Sequence, residues 1–264
     1  MKKKGISDSK RSMKDNPLIF HLHHSAETED VFFWIELAKH QGGMCLELGC
    51  GTGRVLISLA QEGYRVFGLD INFESLRFLR EQLSPQLARL VNIFQADMSA
   101  FHLDQKFSLV YLACNTLSTI QKKDRQQVYK RINKHLVDNG IFAASIPNPL
   151  WLEDLAESSE STLEEVIFHP KTGDPIQVST EWEKHGRRII FHWHYDRLLP
   201  DGQVERNTIE NQQIIESPEE YLNDLRTAQL IPVEIFGNFD KSAFDADSPY
   251  FIVLARKASN NFKQ

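Results

Sequence analysis

The chain has 264 residues, of which 41% are hydrophobic and 25% are charged, as expected for one globular domain with an insertion. Its formal net charge of −6 argues against a protein that binds a phosphate backbone, so no nucleic-acid partner is expected. No apolar run is long enough for a transmembrane helix or a signal peptide, and the three cysteines form no CxxC pair. A cytoplasmic protein with reduced thiols and no membrane association is predicted.

The N-terminal segment is polar, lysine-rich and predicted to be a mobile tail over residues 1–16. His21, His23 and His24 follow within four residues. No cysteine or carboxylate is spaced to complete a metal site with them, so no metal is predicted.

A glycine-rich turn is the centre of the predicted fold. A helix predicted from Glu29 ends at a glycine pair, and the stretch 46–54, LELGCGTGR, then has the pattern of a buried strand end, a turn and a helix start. The glycines of the turn are Gly49, Gly51 and Gly53. Without Cβ atoms they allow positive φ and let a ligand contact the main chain directly. Exposed N–H groups at the helix start favour an electronegative group, and Glu47 places an acceptor beside them.

Further strands follow at regular intervals, separated by helical patterns, which predicts a parallel sheet with right-handed crossovers. They are predicted at Tyr64–Asp70, Val91–Gln95, Phe107–Ala113 and Gly140–Pro147. Asp70 lies about 20 residues past the turn, where Rossmann-type folds hold ribose hydroxyls. The turn is GxGxG, whereas nicotinamide enzymes have GxGxxG, and this difference argues against a nicotinamide-dependent reductase.

Polar residues collect at the carboxyl ends of these strands, where open α/β sheets bind their ligands. The residues at those ends are Glu47, Gly49, Asp70, Asp97 and Asn115. A set of short motifs therefore lies along one edge of the predicted sheet. In chain order the motifs are ELGCGTGR, GLD, ADM and FSLVYLACNTL.

These motifs together resemble the class I S-adenosylmethionine-dependent methyltransferases over residues 27–150. The likeness extends toward the C-terminus through GNFDKSAFDADSP at 237–249, which looks like a loop of small-molecule members. The resemblance implies a doubly wound, mostly parallel, seven-stranded Rossmann-like α/β sheet with an antiparallel final strand. It also implies S-adenosyl-L-methionine as the cofactor.

The resemblance assigns roles to residues along this edge. The glycine turn would take the methionine portion of the cofactor, Asp70 both ribose hydroxyls, Asp97 the adenine amino group, and Met98 the face of the ring. The full implied set is Glu47, Gly49, Gly51, Gly53, Asp70, Ile71, Asp97, Met98, Cys114 and Asn115. Two alternatives remain from the residues alone, since Asp70 could cap a helix and Met98 could be a core residue.

An insertion over residues 151–216 interrupts the alternation, between core segments predicted at 17–150 and 217–258, with a tail at 259–264. Residues alternate in polarity along three segments, which predicts an antiparallel β-meander. One face is aromatic and includes Trp193. Such a face is predicted to be either a lid over the substrate or the contact surface of a homodimer.

Two other features of the sequence admit more than one interpretation. His192 and His194 share the opposite face of their strand and could bind metal, act as a base or form a solvated face. The loop 237–249 carries Asp240, Asp245 and Asp247, which could orient a cationic or polyhydroxy substrate or lie in solvent.

Methyl transfer to a small-molecule acceptor is the predicted function, an in-line displacement that mainly requires alignment of donor and nucleophile. The sequence ACNTL stands where DNA amino-methyltransferases have an NPPY-type motif. With the acidic balance, this favours a small-molecule amine, and N-methylation over O-methylation. A general base is unassigned, with His21, His192 and His194 as candidates. The alternative is a catalytically silent protein that binds S-adenosylmethionine.

Overall fold

The computed structural model describes residues 7–10, 17–25 and 28–258. The chain divides into two compact units. The smaller unit is formed by the described part of Met1–Ala26 and by Leu155–Ile214, and the larger by the described parts of Glu27–Asp154 and Ile215–Gln264. No helix in these described ranges is long and apolar enough to cross a membrane.

The strands are β1 Ser7–Lys10, β2 Cys45–Leu48, β3 Val66–Asp70, β4 Val91–Gln95, β5 Phe107–Leu112, β6 Leu136–Pro147, β7 Thr162–Phe168, β8 Pro175–His185, β9 Arg188–Leu198, β10 Val204–Ile214, β11 Leu230–Phe236 and β12 Tyr250–Lys257. The α-helices are α1 Pro17–Ser25, α2 Glu29–Gln41, α3 Arg54–Gln61, α4 Phe73–Gln82, α5 Lys122–His135, α6 Pro149–Asp154 and α7 Pro218–Thr227.

The larger unit is built on a seven-stranded sheet in the order β11-β12-β6-β5-β2-β3-β4. The pairs among β4, β3, β2, β5 and β6 are parallel, whereas β12 is antiparallel to both of its neighbours. The predicted mostly parallel sheet with an antiparallel final strand is therefore confirmed. Parallel strands bring their carboxyl ends to one edge, which is where the candidate site lies.

Helices cover both faces of this sheet because successive side chains of each strand point to opposite faces. On β2, Cys45 packs with α2, α3 and α4, while Leu46 and Leu48 pack with α5 and α7. The strands are apolar on both sides, as expected for a sheet buried between two helical layers. This arrangement is the doubly wound architecture that was predicted.

Local signals explain where several helices begin. The side chain of Asn72 accepts hydrogen bonds from the backbone N–H groups of Glu74 and Ser75 and caps α4. A capping box between Ser217 and Glu220 starts α7, with Pro218 in its first turn. Each cap satisfies N–H groups that a helix start leaves without intrahelical partners.

A buried arginine joins α5 to α7. The guanidinium of Arg125 is fully buried, lies 4.6 Å from the centre of the Tyr221 ring, and donates to Asp224 from Nε at 3.1 Å and from Nη2 at 2.5 Å. It also donates to the buried carboxylate of Glu216. One buried cation thus lies between two buried carboxylates, and Lys122 Nζ lies 4.0 Å from Asp224 Oδ1 as a second, exposed partner.

The smaller unit is a five-stranded sheet in the order β1-β10-β9-β8-β7. Strands β7 to β10 are antiparallel, which confirms the predicted meander, and β7 is an additional strand that the sequence pattern did not reveal. Helix α1, also not predicted, packs Ile19 among Ile176, Val178, Tyr195 and Ile209 of the sheet. One face of the meander is therefore covered, in part, by a helix of the same unit.

The predicted tail at residues 1–16 differs from the structure at Ser7–Lys10, which pairs in parallel with β10. An edge strand offers a row of unpaired backbone groups, and a polar segment can satisfy them without any apolar pattern of its own. Residues 1–6, 11–16 and the predicted tail 259–264 lie outside the described residues.

Candidate active site

The glycine turn after β2 adopts left-handed backbone conformations at all three glycines. A Cβ on Gly53 would collide with the side chain of Leu79, so the absence of a Cβ lets α3 and α4 pack closely here. A Cβ on Gly51, with φ of 52°, would meet nothing within 4 Å. The turn therefore presents bare backbone to open space at Gly51, where a ligand can approach the main chain.

The carboxylate of Asp70 is tied to this turn. Its Oδ2 accepts from Gly51 N at 2.8 Å and its Oδ1 accepts from Asn72 N at 2.7 Å. Asn72, rather than Asp70, caps α4, so the alternative in which Asp70 is the helix cap is wrong. A carboxylate has about four acceptor positions, so two remain for a ligand at this half-buried group.

Glu47 lies in β2, just before the turn, and is buried. Its Oε2 accepts from the Tyr111 hydroxyl at 3.0 Å, and the Tyr111 ring stacks on Trp34 with 5.3 Å between centroids. Burial raises the pKa of the Glu47 carboxyl from 4.5 to about 8, against the Tyr111 hydrogen bond and the positive charge of Arg54, which both lower it. Glu47 therefore holds its proton over much of the neutral range.

This proton makes stability depend on pH. Between pH 4.5 and about 8 the folded chain keeps a proton on Glu47 that the unfolded chain has released, so the free energy of unfolding falls as pH rises through this window. Glu47→Gln keeps the shape and an acceptor for Tyr111 but cannot ionise. We expect wild type to lose on the order of a few kcal/mol relative to this variant between pH 5 and 8. Urea unfolding across that range measures the difference, and parallel curves would contradict it.

An ion pair missed at the sequence level lies beside the turn. Arg54 donates to both carboxylate oxygens of Asp30, at 2.5 and 2.7 Å, and Trp34 Nε1 donates to the same carboxylate at 3.1 Å. Arg54 Nη2 also lies 2.8 Å from Cys114 Sγ. The pair fixes the first turn of α2 to the first residue of α3 and to the loop after β5. Its only signal in the sequence was an arginine directly after the glycine turn.

The loop after β5 is strained. Cys114 and Asn115 are consecutive non-glycine residues in the left-handed region, with φ of 56° and 61°. Each such residue costs free energy that the surrounding structure must offset, and such residues cluster at functional sites. Thr116 follows, and its Cγ2 lies 2.9 Å from where a Cβ of Gly49 would be. The two predicted residues of this loop thus lie at the same edge as the glycine turn.

Three further predicted residues follow β3 and β4. Asp97 is exposed, and its Oδ1 accepts from Ser99 N at 2.7 Å. Met98 Cε lies 3.4 Å from the position of a Cβ on Gly49, and Ile71 is 55% exposed although it is large and apolar. Met98 lies beside the glycine turn and also packs against the core, so its alternative as a core residue remains compatible with its position.

The aspartate-rich loop before β12 lies at the same edge, since Tyr250 pairs with Pro147 at the end of β6. Asn148 is fully buried, and its Nδ2 donates to the backbone carbonyls of Asp245, Ala246 and Ser248 at 3.1, 3.1 and 2.8 Å. Asn148 has no role that the sequence predicts. It anchors this loop to the end of β6.

The three candidate histidine bases belong to the smaller unit, whereas the residues described above belong to the larger one. Burial lowers the pKa of His21. His192 and His194 have side-chain exposures of 13% and 11%, so their interpretation as a solvated face is wrong. No group of three or more metal-binding side chains occurs within the described residues.

Comparisons with known proteins bear on the same region. Residues 45–140 match a family model described as a methyltransferase domain. YqeM of Bacillus subtilis is 32% identical over 128 residues, which are 48% of this chain and 51% of that protein. Cypemycin N-terminal methyltransferase of a Streptomyces species is 32% identical over 151 residues, 56% of this chain and 58% of that one. The chain thus spans little more than half the length of these two relatives.

The fold matches solved structures over nearly the whole chain. The sugar N-methyltransferase KedS8 from Streptoalloteichus superposes with a TM-score of 0.76 at 15% identity, covering 97% of this chain and 99% of that one. At this identity the likeness concerns the fold. The glycine turn and the acidic end of β3 both lie within the match over residues 45–140. The chain therefore contains a methyltransferase domain and has the fold of the class I S-adenosylmethionine-dependent methyltransferases.

Proposed function

We propose that this protein transfers the methyl group of S-adenosylmethionine to an amine nitrogen of a small molecule. The observation that carries the proposal is the open space at Gly51 beside a carboxylate, Asp70, that retains acceptor positions. A nucleoside with two hydroxyls and an amino acid portion needs both features at one strand end. The exposed apolar side chain of Ile71 at the same edge suits a purine face.

Different residues along this edge would hold different parts of the cofactor. The glycine turn and Glu47 would hold the methionine portion, Asp70 the ribose hydroxyls, and Asp97 the adenine amino group. Met98 and Ile71 would cover the adenine ring, and the strained Cys114-Asn115 loop would border the sulfonium. S-adenosylmethionine supplies a methyl group on a cationic sulfur, and its transfer is an in-line displacement without a covalent enzyme intermediate.

Several features favour an amine over a hydroxyl. A neutral amine has a free lone pair and needs no base, whereas an alcohol must lose a proton as it reacts. The carboxyl of Glu47, the buried acid of this edge, is mostly protonated at pH 7 and is paired with Tyr111. The names of the cypemycin N-terminal methyltransferase and of the sugar N-methyltransferase KedS8 agree with this choice. The net charge of −6 argues against a nucleic acid as the methyl acceptor.

Incubation of the protein with S-adenosylmethionine and a panel of small amines and alcohols tests the proposal. We expect S-adenosylhomocysteine to accumulate with amines, and mass spectrometry to find the added methyl group on nitrogen. A catalytically silent protein would bind the cofactor tightly and produce no S-adenosylhomocysteine with any acceptor. Methylation of alcohols alone would contradict the preference for nitrogen.

Asp70→Asn tests the ribose contact. The substitution keeps one acceptor oxygen for Gly51 N, loses the acceptor for Asn72 N, and removes the charge that strengthens hydrogen bonds from ribose hydroxyls. We expect S-adenosylmethionine binding to weaken by about 1.5–3 kcal/mol in titration calorimetry. Asp104→Asn, a change of the same charge at an exposed residue of the same unit, is the control and should leave affinity unchanged. Equal affinity for both variants would remove Asp70 from the cofactor site.

The smaller unit is proposed to select the acceptor. Trp193 is half-buried on the aromatic face of β9, and its ring contacts His24 of α1 with 6.0 Å between centroids. We expect Trp193→Ala to change turnover of a given amine and to leave cofactor affinity unchanged. If the aromatic face is a subunit contact instead, light scattering will show an oligomer dissociate, with activity lost in parallel. Phe168→Ala, at an exposed position of β7, is the control.

A further inference from the structure

A cavity of about 350 Å³ lies against the face of the smaller sheet opposite the aromatic one. The lining residues that matter here are Glu181, Glu183, His192, His194, Arg206 and Thr208. Cross-strand pairing of β8, β9 and β10 places them side by side on that face. The volume is at the lower end of the range for small-molecule pockets, which suits a compact ligand.

The contacts of His194 determine where its proton resides. Its Nε2 lies 3.3 Å from Glu181 Oε1, and its Nδ1 lies 2.9 Å from Thr208 Oγ1. Because an ionised carboxylate only accepts hydrogen bonds, Nε2 carries the proton and Nδ1 accepts from the Thr208 hydroxyl. Both nitrogens of His194 are therefore already engaged.

His192 is engaged on one side only. Its Nδ1 lies 3.6 Å from Glu210 Oε1, a charge contact that favours a proton on Nδ1. Its Nε2 is buried and has no hydrogen-bond partner among the described residues. With the proton on Nδ1, Nε2 is a bare acceptor that requires a donor. The ring is parallel to that of His194, at 7° with 6.5 Å between centroids, so both point along the same face.

The charges around the cavity are predominantly negative. Glu181 and Glu183 line it, and Glu183 also contacts His185 at 3.3 Å. Its one arginine, Arg206, donates to both oxygens of Asp196 at 2.7 and 2.6 Å, so its charge is offset. A cation that also provides N–H donors would satisfy the carboxylates and the imidazole together. The described residues offer no group of three or more ligands that could hold a metal ion, so an organic cation fits better.

We propose that this cavity binds a small primary alkylammonium ion, with Glu181 and Glu183 as its counter-charges and His192 Nε2 as its hydrogen-bond acceptor. The site lies wholly in the smaller unit and uses none of the residues assigned to S-adenosylmethionine. It is independent of the proposed methyl transfer, and either assignment can fail without the other.

Titration of the full chain with putrescine, a four-carbon diamine, tests the site, with 1,4-butanediol as the uncharged analogue. We expect putrescine to bind and butanediol not to bind in calorimetry. Glu181→Gln and His192→Phe should each lower the affinity for putrescine about tenfold or more, equivalent to about 1.4 kcal/mol. Glu205→Gln is the control, because it removes the same charge from the opposite face of β10. Since an exposed charge contributes little, it should change the affinity for putrescine less than about twofold.

Imidazole nitrogen resonances of the ¹⁵N-labelled chain locate the ligand. We expect the Nε2 resonance of His192, assigned by its loss in His192→Phe, to shift during the titration, while that of the exposed His102 of the larger unit moves little. Equal binding of butanediol, equal affinity of all three variants, or an unmoved His192 resonance would each overturn the proposal. If His192→Phe does not fold, the affinities of Glu181→Gln and Glu183→Gln for putrescine test the proposal instead. Both substitutions retain the shape of the side chain. S-adenosylmethionine affinity, measured on the same variants, should stay at the wild-type value.

Discussion

Gly51→Val should lower S-adenosylmethionine affinity by more than about 100-fold, equivalent to about 2.7 kcal/mol, in a protein that remains folded. A Cβ on Gly51 meets nothing within 4 Å in the protein itself, so the isopropyl group would occupy space reserved for the ligand. Titration calorimetry measures the loss of affinity, and circular dichroism with urea unfolding measures the fold.

The strain of a branched residue at positive φ needs its own control. Gly63 has φ of 89°, belongs to the same unit, and also has nothing within 4 Å of a Cβ position. Gly63→Val should therefore impose a comparable backbone strain without weakening cofactor binding. Equal loss of affinity in both variants would attribute the effect to strain. An unfolded Gly51→Val chain would make this glycine a requirement of folding.

Arg125→Met should have the largest effect on stability, about 3–5 kcal/mol, because it removes the buried cation that donates to the carboxylates of Asp224 and Glu216. The exposed Lys122, 4.0 Å from Asp224 Oδ1, cannot replace these buried hydrogen bonds. Methionine replaces the aliphatic stem, so the loss reflects charge rather than packing. Urea unfolding gives the change in the free energy of unfolding. Arg131→Met, on the same helix at a half-buried position, should cost less than about 1 kcal/mol.

A combined variant separates the buried charge from other causes. Adding Asp224→Asn and Glu216→Gln to Arg125→Met removes both buried carboxylate charges, so part of the lost stability should return. If the triple variant is no more stable than Arg125→Met alone, the destabilisation has another origin, such as lost contact with the Tyr221 ring.

Features set by residues close together in the chain could be predicted from the sequence. The glycine turn, the acidic end of β3 and the alternation of strands and helices along residues 44–147 follow from apolar periodicity and turn residues, which act over a few positions. The period of two along β9 likewise showed that His192 and His194 share a face. Whether that face is solvated depends on Glu181 and Thr208 of the neighbouring strands, and strand pairing is a tertiary property.

Contacts between distant residues were decided only by the tertiary structure. Arg54 reaches Asp30 across 24 positions and Arg125 reaches Asp224 across 99, and neither pair has a spacing rule because each joins two separate helices. The pairing of Ser7–Lys10 with β10 needs only free backbone groups, so its side chains carry no pattern that reveals it. The sequence by itself determined the fold class and the edge at which the candidate site lies. The folded chain alone decided which charged groups are buried beside that edge, because burial and pairing depend on neighbours that local sequence does not specify.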